Sequence, residues 1–96
     1  MSETTRVIHK YALRREGYQV VEVAGYLNVL DVQVQRGELV MWCARFSPAT
    51  EVTRIGVSLI GTGHPIPENV SARRYFRTVQ DLHELVWHVF IAEGAA

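Results

Sequence analysis

The sequence predicts an all-β fold, a small antiparallel β-sandwich or barrel-like sheet of about six to seven strands. Three observations carry that expectation. Apolar and polar residues alternate over short runs, most clearly in Leu30-Asp31-Val32-Gln33-Val34-Gln35; this is the period of a strand with one face in the core. Turn-forming residues recur at intervals of roughly eight to twelve positions. No stretch sustains the 3.6-residue period of an amphipathic helix.

Residues 5–14 (TRVIHKYALR) place Val7, His9, Tyr11 and Leu13 on one face, and Gly17 turns the chain. Residues 18–24 (YQVVEVA) make a second strand ending at Gly25. In residues 27–35, Leu30, Val32 and Val34 face one way and Asp31, Gln33 and Gln35 the other. Arg36-Gly37 marks a tight reversal, so 27–35 and 38–46 are expected as adjacent antiparallel strands. Residues 38–46 (ELVMWCARF) are apolar on both faces, as in a strand covered on both sides, and Pro48 ends them. Residues 51–61 turn Ile55, Val57 and Leu59 inward. After a loop, 73–80 (RRYFRTVQ) and 84–92 (ELVWHVFIA) complete the set, the latter again apolar on both faces. Only ENVSAR, near residue 70, has the character of a single helical turn. The expected core is Leu30, Val32, Val34, Trp42, Ile55, Val57, Leu59 and Trp87. Two doubly apolar strands exceed the needs of a lone small sandwich. They predict a homo-oligomer, in the first instance a two-fold dimer.

The chain has 96 residues, which fits one domain, with 1–4 and 93–96 expected as disordered ends. Ten Lys and Arg balance ten Asp and Glu. The broad positive field that holds a protein on nucleic acid without regard to sequence is therefore missing. The single cysteine, Cys43, fits a reducing compartment. The first ten residues are polar and lack a signal-peptide core. No apolar run approaches the ~20 residues that span a bilayer. The expectation is a soluble cytoplasmic protein without membrane contact.

The stretch GTGHPIP, residues 61–67, concentrates unusual chemistry. Gly61 and Gly63 suit a backbone nest for an anion, with His64 as acid, base or ligand. They equally suit a structural loop in which glycines supply positive φ and prolines stiffen the path. No Lys-Ser/Thr pair follows, so a phosphate loop is not indicated. The basic-aromatic stretch SARRYFRTVQ is the second candidate. On a regular strand Arg73, Tyr75 and Arg77 share a face, a platform for an anionic ligand or acidic partner surface. Alternatively, that face is solvated and its arginines pair with Glu68, Asp81 or Glu84.

No catalytic set stands out. Ser47, Ser58 and Ser71 lack a nucleophile elbow. Cys43 has apolar neighbours, which raise a thiol pKa. His9, His64, His83 and His88 show no metal-ligand spacing, and His83 and His88, five apart on one strand, would point oppositely. His88 reads as a hydrogen-bonded structural histidine. No metal or cofactor is assigned.

The opening VIHKYAL, the central VLDVQVQRGELVMW, the GTGHPI loop and the closing LVWHVF occur in that order. Together they resemble a family of small uncharacterised proteins of bacteriophages, prophages and some bacterial genomes. Those proteins share H-x-Y, V-Q-V-Q-x-G, G-T-G-H-P and W-H-V-F elements. The resemblance covers roughly residues 7–91 and implies a phage or mobile-element origin and a host-cytoplasmic location. It carries no established activity. Small phage proteins without catalytic motifs often act by binding. The leading expectation is a non-enzymatic binder that antagonises a host defence system, such as an anti-CRISPR or a sponge for a nucleotide signal. Its partner would be a host protein or a small anionic ligand, met by Gly61, Gly63, His64, Arg73, Tyr75 and Arg77. The alternatives are a phage structural or assembly protein and a small hydrolase using His64.

Overall fold

The computed structural model describes residues 3–15, 17–71 and 74–94. Strands β1 (Thr5–Ala12), β2 (Tyr18–Ala24), β3 (Tyr26–Gln35), β4 (Glu38–Ser47) and β5 (Val52–Gly61) precede the one-turn helix α1 (Glu68–Ser71). Strands β6 (Arg74–Gln80) and β7 (Val86–Glu93) follow it. All strand pairs are antiparallel, in two sheets ordered β1-β4-β3 and β2-β5-β7-β6. The Cα envelope measures 53 × 31 × 16 Å. Its short dimension accommodates two sheets at their usual separation of about 10 Å and no third layer.

The core lies between the sheets. Val32, Leu39, Met41 and Cys43 of the first meet Val23, Ile55, Val57, Leu59, Val79, Val89 and Ile91 of the second. The β3–β4 reversal sits where expected: Gln35 pairs with Glu38, and both Arg36 (φ 53°) and Gly37 (φ 81°) are left-handed. That backbone matches the twist of the flanking strands.

Two expected core residues, Leu30 and Trp42, lie elsewhere. Leu30 is 43% exposed, because the pairing of β3 slips between Val29 and Asp31. The slip reverses which residues face inward at that end, so Val29 packs on the core instead. Tyr26 promotes the irregularity: its hydroxyl accepts the Val29 N–H at 3.2 Å. Trp42 lies on the opposite face of β4 from Met41 and Cys43, between Lys10 and Asp31. Its surroundings leave it half-buried. Trp87, like Val34, packs against the core while half-buried. His83 lies in the β6–β7 connection rather than on the strand with His88.

The chain passes from the second sheet to the first through one residue, Gly25. Its φ is +69°, and a Cβ there would lie 2.5 Å from the Phe46 carbonyl oxygen and 2.6 Å from the Ala49 methyl. Its N–H donates to Glu51 O and its carbonyl accepts from Phe46 N, both at 2.8 Å. The β1–β2 connection is clasped by the buried Gln19, whose amide bonds both Arg14 N (2.9 Å) and Arg14 O (2.7 Å).

At the same end of the sandwich the carboxylate of Asp81 is wholly buried. Oδ1 accepts from the amides of His83 (2.8 Å) and Leu85 (3.2 Å). Oδ2 accepts from Arg15 Nε and from the Trp87 indole N–H, each at 3.1 Å. Burial works to raise the Asp81 carboxyl, but these four hydrogen bonds together outweigh it and hold the group below the ordinary carboxylate range.

Two outcomes follow. Gly25→Ala should destabilise the fold by about 2–4 kcal/mol, from left-handed strain plus overpacking against backbone; a urea midpoint unchanged from wild type would show that the crossover yields freely. For Asp81 the folded pKa is depressed, so its stabilisation is complete above the ordinary carboxylate value of about 3.9 and is lost as pH falls through the depressed value. Asp81→Asn should melt lower at pH 7 and lose less between pH 5 and 2 than wild type does. Parallel acid profiles for the two proteins would assign the acid transition to other groups.

Candidate functional site

Strand β7 is apolar on both faces for two different reasons. Trp87, Val89 and Ile91 face the core, whereas His88 and Phe90 face outward. On the outer face of the second sheet, Phe90 pairs with Ser58 of β5 and Tyr75 of β6, and His88 pairs with Ile60 and Thr78. The loop after β5 rises beside them. A cleft of about 310 Å³ results, lined by Ile60, Gly61, Thr62, Gly63, His64, Ile66, Tyr75, His88 and Phe90.

Each wall has a local cause. His64 N–H donates to Gly61 O at 3.1 Å and closes a tight turn. Gly63 at φ +88° supplies the left-handed residue this turn requires, and a Cβ there would meet open space. The His64 ring lies over Gly61, with Nδ1 3.4 Å from where a Cβ would stand. Tyr75 reaches the cleft through a bulge. Pairing in β6 slips between Tyr75 and Arg77, so Tyr75 pairs with outward Phe90 while Arg77 pairs with inward Val89. The two rings meet edge to face, centroids 5.7 Å apart at 72°.

Four polar side chains form a continuous chain along one side of the cleft. Thr62 Oγ1 lies 2.8 Å from His88 Nε2. His88 Nδ1 lies 2.9 Å from Thr78 Oγ1. Thr78 Oγ1 in turn lies 2.6 Å from the Tyr75 hydroxyl. Both ring nitrogens of His88 are thus engaged by hydroxyls, which are able to donate or accept.

Of the expected site residues, Gly61, Gly63, His64 and Tyr75 come together here. Arg73 lies outside the described residues. Arg77 does not share the face of Tyr75, because the bulge turns it toward the first sheet. There Nη1 pairs with Asp31 Oδ1 at 2.9 Å, a partner not among those expected. Asp31 is available because it sits at the β3 slip, where the same Oδ1 also accepts Val32 N–H. Arg74 pairs with Glu93 at 3.7 Å. Thr62, Thr78 and His88 were not singled out together. Thr78 and His88 are ten positions apart on two strands, and only their registry makes them neighbours. Cys43 is fully buried in the core, and burial pushes its thiol up to about 11, which keeps it in the unreactive thiol form near neutrality.

Fold and cleft together define a small antiparallel β-sandwich carrying an aromatic, hydroxyl-rich recess on one outer face. The chain belongs to the DUF7352 family, a domain of unknown function, whose model matches residues 4–96. No curated protein and no solved structure matches it.

Proposed function

We propose that this protein acts by binding, with the outer-face cleft as its recognition surface, and that it is of phage or mobile-element origin and antagonises a host defence system. The observation that supports the reading is convergence. A glycine-opened loop, an aromatic pair and a histidine held by two threonines, drawn from separate segments, meet around one recess. At about 310 Å³ the recess is at the small end of the range for ligand pockets. Tyr75 is 52% exposed at its edge, and tyrosine is enriched among residues that carry binding energy. A hydrolase built on His64 has less support, because no carboxylate among the described residues lines the cleft beside it.

Affinity capture from host lysate, with mass spectrometry of proteins and small molecules, tests this. Wild type and the exposed-strand control Glu22→Ala should retain the same partner or ligand, and Tyr75→Ala should lose it. Retention by all three would place recognition elsewhere. Substrate turnover abolished by His64→Ala would make the protein an enzyme, and its recovery in purified virions would make it an assembly component.

We further propose self-association through the outer face of the first sheet. Phe46, 40% exposed, and Ile8, 62% exposed, flank Ala44 and the half-buried Trp42 there. An apolar patch of this kind marks an interaction surface. Light scattering should report a dimer, and Ile8→Lys with Phe46→Lys should shift it to monomer. A wild-type monomer across micromolar concentrations would overturn the assignment.

A further inference from the structure

The chemical class of the ligand follows from the hydrogen-bond polarity of the Thr62–His88–Thr78–Tyr75 chain; this inference rests on the cleft being the binding site. A neutral imidazole donates from one nitrogen and accepts at the other. When Nδ1 carries the proton, the ring donates to Thr78, Thr78 donates to Tyr75, and the Tyr75 O–H is left to donate outward. Thr62 then spends its own proton on Nε2 and offers only lone pairs. When Nε2 carries the proton, every bond reverses: Thr62 donates outward and Tyr75 offers only lone pairs. In either neutral form the two ends of the chain present one donor and one acceptor. An imidazolium donates from both nitrogens, and both terminal hydroxyls then point protons outward.

We propose that the cleft is a proton-coupled site for a small anion carried on an apolar or aromatic ring, and that anion binding draws a proton onto His88. An anion has only acceptors. It is matched by the doubly donating chain and mismatched by either neutral one, and the imidazolium adds a favourable charge. The ring portion has its own wall in Tyr75 and Phe90, centroids 5.7 Å apart. From β5 the group facing His88 is Ile60, from β6 Thr78 and Tyr75, and from the loop Thr62 and His64. His64 and Tyr75 are the ionisable side chains among these, and no Asp, Glu, Lys or Arg among the described residues lines the cleft. Among the described residues no fixed positive charge lines the cleft to satisfy an anion, which leaves a histidine to supply the proton. His88 is the one wired to both hydroxyls.

Calorimetry with benzenesulfonate tests the proposal, since this probe stays ionised across the titration range of histidine; benzyl alcohol is its neutral counterpart. Benzenesulfonate should bind more weakly as pH rises from about 5 to 8, the interval in which imidazoles titrate, approaching tenfold per pH unit at the upper end. The heat should depend on the ionisation enthalpy of the buffer in the sense of proton uptake. His88→Gln should abolish the uptake, His64→Ala should retain it, and Thr62→Val, an exposed loop change that spares the core, should weaken binding at low pH. Benzyl alcohol should show no uptake. Binding without uptake, uptake that survives His88→Gln, or no binding at millimolar probe would each overturn the proton-coupled anion site. The Tyr75→Ala capture experiment separately decides whether the cleft is a binding surface at all.

Discussion

The buried carboxylate of Asp81 is the interaction on which the rest of this end of the sandwich depends. A carboxylate out of water is costly unless its lone pairs are taken up. Here two backbone amides, an indole and a guanidinium take them. The amides come from the β6–β7 turn itself, so the charge fixes the shape of that turn. Arg15 comes from the β1–β2 connection and also reaches the carbonyl of Gly37 in the β3–β4 reversal. One buried charge therefore ties three reversals together. Its consequence for the cleft lies in register. With Gln80 opposite Val86, Thr78 falls opposite His88, and both face outward. A slip of one residue would turn His88 into the core and Val89 into water. The hydroxyl–imidazole chain thus exists because the turn two pairs away admits one registry.

What was legible in the sequence is what local alternation and turn chemistry determine. All seven strands fall within a few residues of their expected spans, and the Arg36-Gly37 reversal could be placed because left-handed residues there serve hairpin twist. Ile55, Val57 and Leu59 alternate without interruption and are buried as expected. The readings that failed share a cause. Leu30 and Arg77 both follow from carrying strict alternation across a slip in pairing. A slip is decided by two strands jointly, and Tyr26 bonding back to Val29 N–H leaves no pattern in either strand alone. Trp42 lies on a strand apolar on both faces, and which of those faces turns inward is a property of the assembled sheets.

The GTGHP loop separates structural from chemical roles differently than its composition implied. Its structural role is plain. Gly63 and the His64 amide shape the turn, while the His64 ring packs over Gly61. The residue that joins the polar chain is Thr62, the least conspicuous of the five, because its hydroxyl meets a histidine 26 positions away. His88 was read as a hydrogen-bonded structural histidine, and it is fully hydrogen-bonded. Its partners, however, are hydroxyls able to reverse polarity rather than fixed carbonyls, so its satisfaction does not remove it from chemistry.

The surplus of apolar residues divides into two surfaces. The outer residues of β7 are not unburied core: Phe90 leans on Tyr75 and, with Ile60 and Ile66, walls a recess that also contains polar groups. The outer residues of β4 lie on an open sheet face beside Ile8, with Lys10 crossing to Gln35 at 2.8 Å along one edge. A concave aromatic recess with convergent hydroxyls has the form of a site for a small group, whereas a flat apolar face rimmed by polar side chains has the form of a protein contact. The two faces belong to opposite sheets, with the core between them. Self-association through the first sheet, as proposed, would therefore leave the cleft on the second open, so the two proposed contacts would not compete on one 96-residue chain.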